Sequence, residues 1–407
     1  MKTVTRSYTL LKITQSHPYY NWCKSACLES RYLYNTMLYQ YRNSYFDKDI
    51  KTLSNIELYQ IGKGCGHWVN LPAKCSNQVW MQLVTNISSY WVAIKEYNKN
   101  PSKFKKPPKI PNYNKGMNIV TFEKQALLTS PKLSANHIRL VRTDIVLDLS
   151  NYKGDIREVK IIPKKNHFII KAIFKQTIDK EVLNNDVVGS IDIGVNNLAA
   201  ITTNQVYIRH ILINGRPLKS INQYYNKTKA NLQSKLPKKQ KSSNKIKLLT
   251  DKRNNKILDY IHKASRYIVN WLIANKIGTL VIGKNKEWKQ QINIGSSNNQ
   301  SFVMIPHARF IDLIKYKFEA VGGIVKLVNE AYTSKCSALD LEPIQKQIEY
   351  KGKRIKRGLF ISNKGVIINA DINGSLNILR KVVKDDDLSN LIESHQWAMQ
   401  SPMRICM

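Results

Sequence analysis

Two short stretches, far apart in the chain, hold residues that could bind a metal. The first is Ser190-Ile191-Asp192-Ile193-Gly194-Val195-Asn196-Asn197. The second is Asn369-Ala370-Asp371-Ile372-Asn373-Gly374-Ser375-Leu376-Asn377. Each sets a carboxylate at the edge of an apolar element. Val187, Val188 and Ile191 lead up to Asp192 as a strand would, and Ile372, Leu376, Leu379 and Val382 follow Asp371 at helical spacing. Taken singly, each acid has an ordinary reading: Asp192 as a turn residue beside Gly194, Asp371 as a helix N-cap. The surroundings argue otherwise. The chain carries 65 Lys and Arg against 28 Asp and Glu, a formal charge of +37. In such a chain, paired carboxylates suit a divalent cation that must meet nucleic acid. The acids hold the metal, the metal grips a phosphate, and Lys and Arg hold the rest of the backbone.

That charge points to a polyanion, nucleic acid first and an anionic membrane surface second. No apolar run approaches the ~20 residues needed to span a bilayer. The first residues, Met1 to Arg6, lack a signal-peptide core. The expectation is a cytoplasmic, nucleoid-associated protein with no membrane partner. Cys23, Cys27, Cys65, Cys75, Cys336 and Cys406 form no C-x-x-C pair, and are expected to be reduced core thiols. A tyrosine-type strand-transfer centre needs two His flanking one apolar residue. None of the 8 His lies two positions from another, which disfavours that class.

Residues 3–13 read as a strand. Helices follow from Pro18, with Trp22, Cys23, Leu33 and Met37, and from Pro72, with Val79, Trp80, Leu83 and Trp91. Their aromatics read as packing core rather than stacking platforms. The run from Pro101 to Tyr113 holds Lys103, Lys105, Lys106 and Lys109 among prolines. It is either a solvated linker or a strap along a phosphate backbone. From about 117 to 176 the period becomes two, as in a small barrel that residues 3–13 would join. After Asp186 the order is strand with Asp, strand, helical hairpin, strand, helix, strand, helix with Asp. That is the order of a ribonuclease-H-like domain, whose ligands sit at the carboxyl ends of strands. The expected fold class is therefore α+β and multidomain. A β-barrel domain (1–15 and 101–183) would carry a helical insertion (16–100). An RNase-H-like α/β domain (184–383) would follow, with a basic helical hairpin at 216–276. A peripheral tail (384–407) would end the chain.

These residues resemble the TnpB (OrfB) family of insertion-sequence proteins, relatives of the type V CRISPR effectors. The resemblance rests on five features in order. They are the Trp22-Cys23 and Leu71-Pro72 helices with the Phe104–Tyr113 strap; Asp192-Ile193-Gly194-Val195; His262-Lys263-Ala264-Ser265-Arg266; Thr333-Ser334-Lys335-Cys336-Ser337; and Asp371-Ile372-Asn373-Gly374-Ser375-Leu376-Asn377. It implies that the barrel is a β-barrel wedge domain, that the helices are a recognition insertion and that the last domain is a RuvC nuclease. It further implies an RNA-guided DNA endonuclease that hydrolyses phosphodiesters with two Mg²⁺ ions, a guide RNA from the transposon end, and a double-stranded DNA target. A nuclease-inactive guided DNA-binding protein or repressor, or an accessory transposase protein, is the alternative.

Two departures from the family pattern stand out. Its second RuvC motif ends a strand with Glu, whereas here the strand reads Leu280-Val281-Ile282-Gly283. The next strand-like run ends in Glu330 and should lie beside it at ~4.8 Å. Glycine would clear space for that longer acid to lean across. Some relatives carry a relocated glutamate of this kind, so Asp192, Glu330 and Asp371 are expected as catalytic and magnesium-binding residues. Glu287 is the other candidate. The family's zinc ribbon is reduced to Cys336, and 333–369 reads instead as a basic hairpin around Arg354–Ile361, so no zinc is expected. Lys263 and Arg266 would meet phosphates. Thr333, Ser334 and Lys335 would touch the DNA strand. Asn373 and Asn377 would orient a ligand or the scissile phosphate.

Overall fold

A computed structural model describes residues 2–47, 49–129, 134, 136–238, 240–285, 300, 303–356, 358–394 and 400–407. The chain divides into two compact units, residues 3–177, and residues 178–407 together with the first two.

The first unit combines strand β1 (Lys2–Ile13), helices α1 (Tyr20–Phe46), α2 (Asn55–Lys63), α3 (Gly66–Val69) and α4 (Ala73–Lys99), and strands β2 (Val120–Glu123) to β7 (Phe168–Ile178). Along α1 the buried side chains fall three or four apart: Cys23, Cys27, Ser30, Tyr34, Met37, Tyr41 and Ser44. That stripe packs against α4 through Val79, Leu83 and Ile87. Ser54 and Glu57 form a reciprocal capping box that starts α2. The expected barrel is replaced, among the described residues, by two open sheets. One has the order β1-β7-β6-β2, with β6 at Asp155–Pro163. The other comprises β3 (Leu127–Leu128), β4 (His137–Leu140) and β5 (Val146–Asp148). Residues 3–13 do join the larger sheet. The basic run 101–113 is not a free linker. Arg42 Nη1 donates to the Pro111 carbonyl at 2.8 Å, and Asn35 exchanges two hydrogen bonds with the Asn114 backbone at 2.8 and 3.0 Å. The segment lies on α1 with Lys105, Lys106 and Lys109 exposed, while Lys103 pairs with Glu96. Cys23, Cys27 and Cys75 are buried thiols, and burial pushes Cys23 up to about 12. Cys406 departs from the core expectation by lying exposed.

The second unit is built on a six-stranded sheet of order β12-β11-β8-β9-β10-β16. The strands are β8 (Asn184–Ile193), β9 (Asn197–Thr203), β10 (Ile211–Asn214), β11 (Ile277–Gly283), β12 (Ile324–Val328) and β16 (Met403–Ile405). β8 pairs parallel with β11 and β11 with β12, while β9 runs antiparallel to both of its neighbours, β8 and β10. β11 is buried along its whole length, which explains its unbroken apolar run. The helical hairpin is α5 (Arg216–Ser234) and α6 (Asn244–Ala274). α6 and α7 (His307–Ala320) cover one face, packing Ile261, Ile268, Phe310 and Ile314 against Ile191, Ile193 and Ile201. The other face carries α8 (Ala370–Leu379) and α9 (Asp385–Ser394), which set Ile372, Leu376, Leu388 and Leu391 against Val188, Ala200 and Val281. Strand alternation decides the site: with Ile191 and Ile193 facing α6, Asp192 must face α8. A small sheet of β13 (Lys353–Lys356), β14 (Leu359–Ile361) and β15 (Ile367–Asn369) leads into α8. The tail is not peripheral. α9 joins the core, and β16 pairs parallel with β10.

His210 enters β10 fully buried, and neither ring nitrogen has a hydrogen-bond partner among the described residues. Burial lowers its pKa from 6.5 to about 4. As pH falls the unfolded chain takes up the proton first, so stability is full above pH 6.5 and is lost toward pH 4. The loss expected from this group is about 3 kcal/mol. In His210→Phe the denaturation midpoint should depend less on pH between 4 and 6.5. An unchanged slope would remove this group from the acid response.

Candidate active site

Asp192 sits at the end of β8, opposite Ala200 of β9 in the ladder. Asp371 lies in the first turn of α8, but it is not the cap. Asn369 caps that helix, its Oδ1 accepting the Asp371 and Ile372 N–H groups at 2.9 and 3.3 Å. The Asp371 carboxylate is therefore left for other work, and Asn197 Nδ2 donates to its Oδ2 at 2.7 Å. Glu330 lies two residues beyond β12, held by Asn285: its Oε1 accepts from Asn285 Nδ2 and its N–H donates to Asn285 Oδ1, both at 3.1 Å. Three hydroxyls fix the helix to the sheet. Ser190 Oγ donates to the Ser375 carbonyl at 2.7 Å, and Ser190, Thr202 and Ser375 are all fully buried.

Two glycines make this arrangement possible. A Cβ at Gly283 would stand 3.1 Å from Glu330 Oε2 and 2.6 Å from Ile378 Cδ1. The missing side chain is thus the space Glu330 occupies. A Cβ at Gly374 would stand 2.6 Å from Asp192 Oδ2, so only glycine lets α8 approach this closely. Gly374→Ala is expected to cost about 1–3 kcal/mol by overpacking and to displace Asp192. Thermal denaturation reads the first effect, and an unchanged midpoint would contradict the close approach.

The three acids share one electrostatic neighbourhood. Asp192 is pushed well above the usual carboxylate range, first by burial, then by repulsion from Asp371 and from Glu330. Arg354 of β13 opposes this, drawing the Asp192 pKa down. Burial raises Glu330 to about 7, with Lys381 pulling the other way. Among the described residues no three His, Cys, Asp or Glu side chains converge at metal-coordination distance. The donor set nonetheless fits a hard cation. Glu330 Oε2 is buried with no hydrogen-bond partner among the described residues, and all three groups are carboxylates. A cleft of about 770 Å³ opens on Asp371, with Arg216, Lys219, Arg354 and Arg404 on its walls.

Two family models match this unit. A probable-transposase model (OrfB_IS605) matches residues 172–289, and a Cas12f1-like TNB-domain model matches residues 307–378. A TnpB-like protein, ORF457 of Acidianus two-tailed virus, is 24% identical over 231 residues, which are 54% of this chain and 47% of that protein. Over these residues the chain is similar to TnpB-type and Cas12f1-like proteins. It spans about half the length of that viral relative. Its fold is similar to that of the protein in the cryo-EM structure of the Cas12f1–sgRNA–target DNA complex. The TM-score is 0.54, with 87% of this chain and 81% of that one covered at 16% identity.

The other residues singled out fall into two groups. Lys263, Arg266, Ser334 and Lys335 are exposed, although Lys263 is paired with Asp259 at 2.8 Å. Ser334 and Lys335 line a second hollow with Tyr350 and Arg354. Thr333, Asn373 and Asn377 do not face a ligand. Thr333 is 3% exposed and donates to the Glu330 carbonyl. Asn373 and Asn377 are fully buried and donate to the carbonyls of Cys336 and of Thr333 and Cys336 respectively. Four apart, they do share one face of the helix, but that face is turned inward on protein backbone. Cys336 is a buried thiol within reach of the Pro343 and Gln345 carbonyls. Glu287 lies outside the described residues. Sequence reasoning passed over Arg354 and Asn285. Arg354 stood in a uniformly basic hairpin, and only pairing geometry separates it from its neighbours.

Proposed function

We propose that this chain is a transposon-encoded, RNA-guided DNA endonuclease with a RuvC, RNase-H-like centre formed by Asp192, Glu330 and Asp371. The observation that supports the reading is Glu330 standing where a side chain at 283 would be, with Glu330 and Asp371 both raising the Asp192 pKa. An acid lost from one strand end is supplied by the next. Magnesium ions bound there would lower the pKa of an attacking water and stabilise the leaving 3′ oxygen. Asp192, Glu330 and Asp371 would hold them. Asn285 and Asn197 orient Glu330 and Asp371 through the hydrogen bonds above. Arg354 supplies positive charge at Asp192, and Arg216, Lys219 and Arg404 suit the phosphates of a strand entering the cleft. The large positive charge suits guided binding as well. A guide RNA from the transposon end pairs with double-stranded DNA, and the protein holds backbone. We read the segment 333–369 as folded without zinc.

The test is direct. Purified protein should carry RNA, cut DNA matched to that RNA in magnesium, and stop in EDTA while still binding. Cutting that ignores EDTA would overturn the reading. Guided binding without cutting would favour the repressor alternative.

A further inference from the structure

Arg354 lines the cleft that opens on Asp371, and it does so from β13, a strand exposed along its length. That strand is held by its ladder with β14 and by a tie at its root. Glu342 is 2% exposed, and each of its oxygens accepts one main-chain N–H: Oε2 from Ser337 at 2.7 Å and Oε1 from Lys351 at 3.0 Å. It thus ties together two points of the chain 14 residues apart (351 − 337). Its own carbonyl accepts from Arg380 Nη1 at 2.9 Å, and Arg380 also donates to Asn377 Oδ1 at 2.9 Å. Asn373 completes the frame by accepting the Ala338 N–H at 2.9 Å. The helix that carries Asp371 therefore grips one arm of this segment, and Glu342 passes that grip to the other arm. Arg354 lies three residues beyond the Lys351 amide, roughly 10 Å of extended chain. The ladder between β13 and β14 shifts register between Arg354 and Lys356. Irregularities of this kind re-aim a side chain.

We infer that Glu342 is a positioning residue for the hydrolytic centre, acting through Arg354. A doubly bonded carboxylate is the group suited to this. Its two oxygens accept both N–H groups, and charge-assisted hydrogen bonds of this kind are the stronger ones. Gln is nearly isosteric but offers one oxygen, so one N–H loses its partner.

The inference rests on the nuclease reading, and its test separates the two. Four full-length, guide-loaded proteins are compared on a matched DNA duplex: wild type, Glu342→Gln, Arg354→Ala and the double variant. Glu342→Gln should lower kcat about tenfold with KM and guided binding within about twofold. Added to Arg354→Ala, it should cost less than about twofold, because the group it positions is already gone. Equal losses in both backgrounds would overturn the inference, as would full activity in Glu342→Gln. Amide exchange over residues 351–356 reads the tie without any cleavage. It should rise in Glu342→Gln, and unchanged protection there also overturns the inference. A wild-type protein that binds guided DNA but never cuts would instead sink the nuclease reading.

Discussion

Asp192→Ala and Asp371→Ala should each abolish magnesium-dependent cleavage, by on the order of 10³-fold or more, while guided DNA binding is kept. Both acids sit where removal leaves the scaffold standing. Asp192 is half-buried at a strand end, and its carboxylate makes an unfavourable interaction with Asp371 and Glu330. Replacing either removes a repulsion, so Asp192→Ala should melt no lower than the parent, whereas Asp371→Ala also takes the acceptor from Asn197 Nδ2. Asn369 keeps capping α8 when Asp371 is lost, since the cap uses the backbone N–H at that position. Binding titrations and single-turnover cleavage on one preparation read both halves of the expectation. Residual full-rate cleavage in either variant would discard the site.

Glu330→Gln should also lose cleavage, on the order of 100-fold or more, whereas Glu287→Gln should not. The stronger test exchanges positions. Gly283 of β11 pairs with Val328 of β12, so the two strand ends share one rim. Glu330→Ala removes the carboxylate beside Gly283 and leaves the Ile378 methyl, 2.6 Å from a Cβ there, as the side-chain end that must shift. A Glu placed at 283 in that background should therefore restore part of the lost cleavage. The single Gly283→Glu, with Glu330 still in place, should misfold or lose activity through the contact at 3.1 Å. Should the exchange restore nothing while the protein folds and binds, the third ligand must be sought elsewhere.

Much of the second unit was legible because its signals are local and repeated. The apolar run 277–283, the hairpin flanking a Pro-broken tip, and the amphipathic spacing after Asp371 each name an element without reference to its neighbours. The expectation that Asp192, Asp371 and Glu330 act together came from element order and from a glycine where an acid was expected, and in the structure Asp371 and Glu330 both raise the Asp192 pKa. What failed was orientation. Asn373 and Asn377 have the residue type and spacing of ligands, but which side of a helix faces inward depends on its partners. Here the partners are the carbonyls of 333–336. The barrel was misjudged for a related reason. Period two marks strands but not whether the last closes on the first. The tail was misjudged because its apolar residues are sparse, and only the core shows Leu388 and Leu391 at 1% and 0% exposure.

The parallel pairing of β8, β11 and β12 also governs when the proposed activity can arise. Residues 191 and 282 lie side by side, as do 282 and 327, across long intervening segments. Pairings between such distant residues form late in a folding reaction, because the loop entropy is lost before the contact is gained. Positive charge, by contrast, belongs to every conformation of this chain. On the nuclease reading proposed above, a partly folded molecule would already cling to nucleic acid and yet have no means of cutting it. Hydrolysis would then be reserved for the finished molecule, and on refolding its return should trail the recovery of helix.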